Sequence, residues 1–307
     1  MILDPKSLYT LVGDVPELDA PVMVHSLEGF MDAGSAGKGL VDHLLGTLDH
    51  RVVVSFDADA LVDYRARRPG LTFVEDHFER YAVPELAIRL LSDADGTPFY
   101  LLSGPEPDVL WERFATAVTG LVERLGVRLT MGVHGIPMAV PHTRPLGVTA
   151  HATRRDLVTV VNPWRGEIRI PSSAASLLEL RLGHAGHDAM GFVAHVPHYL
   201  AEAEYPDASL VLLRAISAAT GLHLPAGELT EAAGQTRTLV QEQVDQSDEV
   251  ARVVRALERQ FDAYTSGAGG GGLLADRSPM PSAEEIGAEL ERFLAELGDD
   301  DGSPAPS

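Results

Sequence analysis

The chain reads as an α/β protein: a three-layer α/β/α sandwich with a mixed sheet, followed by a C-terminal helical extension. Three observations predict this. Short apolar runs alternate with amphipathic helical stretches through about residue 222, the pattern of strands covered by helices on both faces. One pair of runs is joined by a tight Asp-Gly turn, which brings antiparallel pairing into the sheet. Beyond residue 226 only helical periodicity remains.

The elements follow in order. Residues 21–27 (PVMVHSL) and 51–56 (RVVVSF) are β-branched apolar runs expected as buried strands. Between them, Leu40, Val41, Leu44, Leu45 and Leu48 recur at three to four residues over 34–48, with Ser35 as the expected N-cap. A polar loop rich in Arg and Asp comes next. Residues 85–91 and 97–103 then flank Asp93-Ala94-Asp95-Gly96 and read as a hairpin. Asp108 is the expected cap of a helix running through Leu125, and a strand follows over 127–133. The Gly135 to Pro145 stretch holds Pro137, Pro141 and Pro145 and is expected to be a stiff loop. Ser172-Ser173 opens a helix that stops at Gly183, 190–196 is a strand, and a helix over 208–220 is closed by Gly221.

These elements make a core domain over 1–225. Residues 226–265 form a second unit, a long helix over 228–264 striped with Leu229, Ala233, Val240, Val244, Val254, Leu257 and Phe261. At ~1.5 Å per residue it would reach about 50 Å, so it either extends to a partner or bends along its own core. Residues 266–282, with Gly269-Gly270-Gly271-Gly272, read as a flexible linker. Residues 283–298 read as a short amphipathic helix on Ile286, Leu290, Phe293 and Leu294, and 299–307 as a disordered polar tail.

Composition narrows the function. Hydrophobic residues at 45% and charged residues at 22% are those of a globular chain, which argues against wholesale disorder. No apolar run approaches the ~20 residues of a membrane span, and the opening lacks a signal-type segment; a soluble, cytoplasmic protein is expected. The absence of cysteine excludes disulfides, thiol nucleophiles and thiolate metal centres. A net charge of −21 repels phosphate backbones and anionic lipid, so neither nucleic acid nor membrane is an expected partner. Lysine occurs only at Lys6 and Lys38, an Arg bias typical of high-GC bacterial genomes.

No motif assembles a complete site. Residues 32–39 (DAGSAGKG) resemble a phosphate-binding loop, but Asp32 stands where a glycine is required and Gly39 where a hydroxyl is required. Ser35 fits a relaxed nucleophile-elbow pattern, yet the residues between it and the first strand place it too far along for that turn. His184 with His187 and His195 with His198 are spaced for metal binding, but Gly186 and Pro197 interrupt them and no acidic ligand follows in register. Structural roles are favoured for all four. Glu28 and Asp32 follow the first strand, and His142 and Arg144 follow the 127–133 strand, at carboxyl ends where α/β sheets commonly bind ligands. Were those strands neighbours, Glu28, Asp32, Ser35, His142 and Arg144 would border one ligand or partner cleft. Turn capping by the two carboxylates is the competing reading. No catalytic residue, cofactor or metal ligand is assigned.

Four segments together resemble a known family. They are Glu28-Gly29-Phe30-Met31-Asp32-Ala33-Gly34; Ser103-Gly104-Pro105-Glu106-Pro107-Asp108 with Trp111; the Gly135 to Pro145 loop; and Val196-Pro197-His198-Tyr199-Leu200. They are similar to the actinobacterial branch of the proteasome assembly chaperone family over residues 8–261. The resemblance implies a phosphorylase/hydrolase-like α/β/α fold, self-association into a homo-oligomer, and relatives that guide assembly of proteasome α-rings, making proteasome subunits a candidate partner. Archaeal-type relatives dock through a C-terminal hydrophobic-Tyr-any-residue motif, whereas this sequence ends Pro304-Ala305-Pro306-Ser307. The ATP-grasp label sometimes attached to this branch finds no lysine pair to clamp a nucleotide. The leading reading is therefore a non-catalytic, self-associating assembly factor or binding scaffold. The alternative is a small-molecule enzyme or sensor using the cleft at the strand ends.

Overall fold

The computed structural model describes residues 4–158 and 167–266. In chain order the first half comprises β1 (Tyr9–Leu11), β2 (Val22–Glu28), α1 (Ala36–Thr47), β3 (His50–Phe56), α2 (Ala58–Leu61), β4 (Leu71–Val74), β5 (His77–Tyr81), β6 (Ala87–Ser92) and β7 (Pro98–Pro105). The second half comprises α3 (Trp111–Arg124), β8 (Leu129–Met138), β9 (Val148–Ala152), α4 (Ala174–His184), β10 (Ala189–Pro197), α5 (Pro206–Thr220), α6 (Gly227–Gln246) and α7 (Asp248–Thr265).

Eight strands form one mixed sheet in the order β1-β3-β6-β7-β2-β8-β10-β9. Its centre, β7-β2-β8-β10, is parallel. The flanks are antiparallel, with β6, β3 and β1 on one side and β9 on the other. Alternation along β2 explains the three layers: Val24 faces one core with Leu40 and Leu44 of α1 and Leu212 and Leu213 of α5. Met23 faces the other, with Phe114, Val118 and Leu121 of α3 and Leu178 and Leu182 of α4. Both faces are buried, so the central strands are apolar throughout rather than alternating. Each fully buried apolar side chain such as Phe99, Leu101 or Phe114 contributes about 1.5–3 kcal/mol.

Several helix boundaries follow the sequence signals. Ser173 caps α4 in a capping box with Ser176, and Gly221 closes α5 in the left-handed conformation at φ 79°, which only glycine adopts at no steric cost. The β6–β7 hairpin turns at Asp93, whose Oδ1 accepts the N–H groups of Asp95 and Thr97.

Other expectations are corrected. The long helix over 228–264 is two helices. Ser247 is extended (φ −132°, ψ 111°) and its hydroxyl caps α7 through Val250 N–H at 3.3 Å, so a capping residue in mid-pattern starts a second helix. The stretch after 127–133 is not all loop, because β8 continues through Pro137 to Met138. Pro137 is tolerated there because β2 leaves β8 after Gly132, and only β10 pairs with the extension. Asp108 does not cap α3; its carboxylate accepts Asp63 N–H at 2.7 Å and pairs with Arg67. The polar loop after β3 contains the two-stranded hairpin β4–β5, outside the main sheet. Of the C-terminal extension, 266 and the two helices before it are described; the expected linker, short helix and tail beyond 266 lie outside the described residues.

Candidate functional site

β2 and β8 are adjacent and parallel, so the loops that follow them meet. Asp32 joins them. Its Oδ1 accepts Gly37 N–H and Gly135 N–H, each at 2.9 Å, and its Oδ2 accepts Lys38 N–H at 3.0 Å. One carboxylate thus satisfies the first N–H groups of α1 and pins that helix to β8, using both the orphan donors and the dipole of a helix N-terminus. Ser35 makes no capping bond; it sits in the left-handed region at φ 49°, a consequence of the tight turn that brings Asp32 under the helix.

Glu28 lies at the end of β2 with an exposed side chain. Its carbonyl accepts Glu106 N–H at 2.6 Å and Arg67 Nη1 at 2.7 Å. Glu106, at the end of β7, is buried and its carboxylate accepts Ala174 N–H at 2.5 Å, at the start of α4. Burial raises its pKa above the ordinary carboxylate range, opposed by that bond and by Arg67.

His142 and Arg144 face the C-terminal helices. Arg144 forms a two-pronged pair with Asp262 of α7, Nε to Oδ1 and Nη2 to Oδ2, each at 2.8 Å, and reaches Glu258 at 3.1 Å. Thr143 donates to Glu258 at 2.6 Å, and Met138 and Val140 pack against Phe261 and Tyr264. The Arg144 bond holds the Asp262 carboxyl below its usual range. The His142 ring is buried, and Tyr199 Oη lies 2.7 Å from its Nδ1 and accepts its backbone N–H at 2.8 Å. Burial lowers the His142 pKa, more strongly than Gln241 and the nearby acids raise it. It also raises those of Tyr199 and Asp207.

The strand ends thus divide into three parts: Glu28 with Arg67 and Glu106 on one side, Asp32 beneath α1 in the middle, and His142 with Arg144 beneath α6 and α7. Residues the sequence reading passed over hold these parts in place. Arg67 and Asp207, the latter paired with Arg237 of α6, carry no motif; the one clue to Arg67 was Gly29, whose missing Cβ leaves room for the guanidinium. Of the histidine pairs, His195 Nε2 meets Thr149 Oγ1 at 2.7 Å and His187 approaches Glu123 at 3.4 Å. Among the described residues, no group of three His, Cys, Asp or Glu side chains is placed to hold a metal ion, and no helix is long and apolar enough to cross a membrane.

The architecture defines a class: an α/β/α sandwich with a parallel centre, glycine- and proline-rich loops at its strand ends, and a helical pair folded across them. The chain belongs to the PAC2 family, whose model matches residues 26–244. It is similar to a Mycobacterium tuberculosis protein of unknown function at 49% identity, covering 85% of this chain and 90% of that one, with a TM-score of 0.81. A Corynebacterium glutamicum protein of unknown function matches at 37% identity, 85% and 98% coverage and a TM-score of 0.81. A proteasome-assembly chaperone homologue from M. tuberculosis matches at 25% identity, 76% and 99% coverage and a TM-score of 0.70. No curated protein matches the chain in sequence.

Proposed function

We propose that the chain is a self-associating assembly factor of the proteasome-chaperone kind that acts without catalysis in the cytoplasm, with proteasome subunits as its partner. The similarity to a proteasome-assembly chaperone homologue supports the partner class; the lack of cysteine suits a reducing compartment. One observation carries the self-association: the β4–β5 hairpin exposes Leu71, Phe73, Phe78 and Tyr81 to solvent. A lone two-stranded hairpin is marginal in water, and large apolar side chains grouped on one mark an interface.

Charge favours a second copy as its occupant. The segment 63–81 holds four acids and four arginines, whereas the whole chain carries −21. Two copies therefore meet at this neutral apolar tip with less repulsion than elsewhere on their surfaces. Sedimentation velocity of the wild type and of the double variant Phe73→Ser/Phe78→Ser tests this: an oligomer that becomes monomeric in the variant is expected, and a monomeric wild type refutes self-association. The assembly role is tested with purified proteasome α-subunits, whose rate of ring formation should rise with added protein. An unchanged rate removes the proteasome from the reading.

A second reading is favoured by a separate observation. His198 Nδ1 and Asp207 Oδ2 are buried without hydrogen-bond partners among the described residues, and such groups are costly unless something satisfies them. A polar small molecule taken up on the His142 and Arg144 side of the strand ends would do so; the five candidates Glu28, Asp32, Ser35, His142 and Arg144 do not share one pocket-like cluster of free groups. Metabolite pools that raise the melting temperature would support it; no shift would count against it.

A further inference from the structure

The loop after β2 and the insertion that carries the hairpin meet at one side chain, Arg67. Its Nη1 donates to the Glu28 carbonyl at 2.7 Å, and its Nη2 donates to the Glu106 carbonyl and to Asp108 Oδ1. The guanidinium lies against the Gly29 backbone, where a Cβ would collide with it. Glu106, held from one side by Arg67, reaches with its carboxylate to Ala174 N–H at the start of α4. Asp108, held by the same nitrogen, accepts Asp63 N–H where the insertion begins. Three separate parts of the carboxyl-end surface are thus tied to the base of the hairpin: the Gly29 loop with exposed Phe30 and Met31, the end of β7, and the first turn of α4. A guanidinium suits this position because its fork of donors is rigid and spans several acceptors at once, which a lysine cannot do.

We propose that Arg67 couples hairpin engagement to the Gly29 loop and the start of α4, so that self-association sets the conformation of the carboxyl-end surface. This rests on the reading of the hairpin as the self-association surface. Association that orders the hairpin restrains Arg67, and Arg67 restrains its acceptors. Because coupling between sites is reciprocal, a ligand or partner that fixes the Gly29 loop also strengthens self-association.

Hydrogen exchange read at increasing protein concentration tests the coupling, on the full chain as wild type, Arg67→Lys and Gly29→Ala. In the wild type, exchange should slow with concentration at 71–81 and, by about fivefold or more, at 28–34 and 174–178, the lower end of ordinary coupling between sites. In both variants the response at 71–81 should persist while that at 28–34 and 174–178 is lost. Arg67→Lys keeps the charge and Gly29→Ala keeps Arg67 itself, and a retained response at 71–81 in both shows that they still fold and associate. A wild type that responds at 71–81 alone, or variants that respond like the wild type, overturns the coupling while leaving self-association intact. A wild type that responds nowhere overturns both.

Discussion

Single residues in this chain show how a polar group is judged by what surrounds it. Asp32 and His25 are both polar residues on or beside β2, yet only Asp32 has its bonding capacity filled. His25 is buried, lies against Gly132, and its Nδ1 has no hydrogen-bond partner among the described residues. Desolvation lowers its pKa to about 4; Glu179 of α4 opposes this, and His151 of β9 and His134 of β8 reinforce it. In the folded state the ring stays neutral down to that pH, whereas the unfolded chain takes up a proton near 6.5. Its contribution is therefore intact above about pH 6.5 and is lost as pH falls toward 4, on the order of 3 kcal/mol in full. Replacing His25 with Met, an apolar side chain able to fill the space, should flatten the fall in urea-unfolding free energy between pH 6.5 and 4. An unchanged slope would assign the acid sensitivity to other histidines. None of this was legible in PVMVHSL, where one histidine in an apolar run looks the same whether satisfied or stranded.

At the scale of elements, legibility followed the range of the forces involved. The Asp93–Gly96 turn, the Ser173 cap and the Gly221 stop are local devices and stood out in the sequence. Elements fixed by distant partners did not. β8 runs past its expected end because β10 pairs with it, and the hairpin β4–β5 hides in a charged loop because its apolar residues do not face the core. The candidate cleft was legible to the extent that β2 and β8 are neighbours; that Asp32 serves α1 and Arg144 serves α7 depends on helices far away in sequence. α7 itself is weakly held. Only Val254 and Leu257 are buried, and its attachment to the core relies on Arg144, Thr143 and a small apolar contact. The Arg144 pairs are partly exposed, so solvent screens them and each contributes little to stability. Arg144→Met should accordingly speed hydrogen exchange across α7 while leaving the urea midpoint of the core nearly unchanged. Full protection of α7 in the variant would show that the helix is held mainly by its apolar contacts.

For the whole molecule, the balance between apolar attraction and net charge decides the behaviour in solution. At −21, two copies repel one another over a distance set by the Debye length, about 30 Å at 0.01 M salt and about 8 Å at 0.15 M. If the hairpin is the meeting point, the attraction is apolar and salt acts mainly on the repulsion. The dissociation constant measured by sedimentation should then fall as NaCl rises from about 0.01 M to about 0.15 M. A contact built from ion pairs would show the opposite trend, because screening would weaken the attraction itself. Weaker association in salt would therefore move the interface away from the neutral hairpin and toward the charged surfaces, such as the arginines and acids spread along α6 and α7.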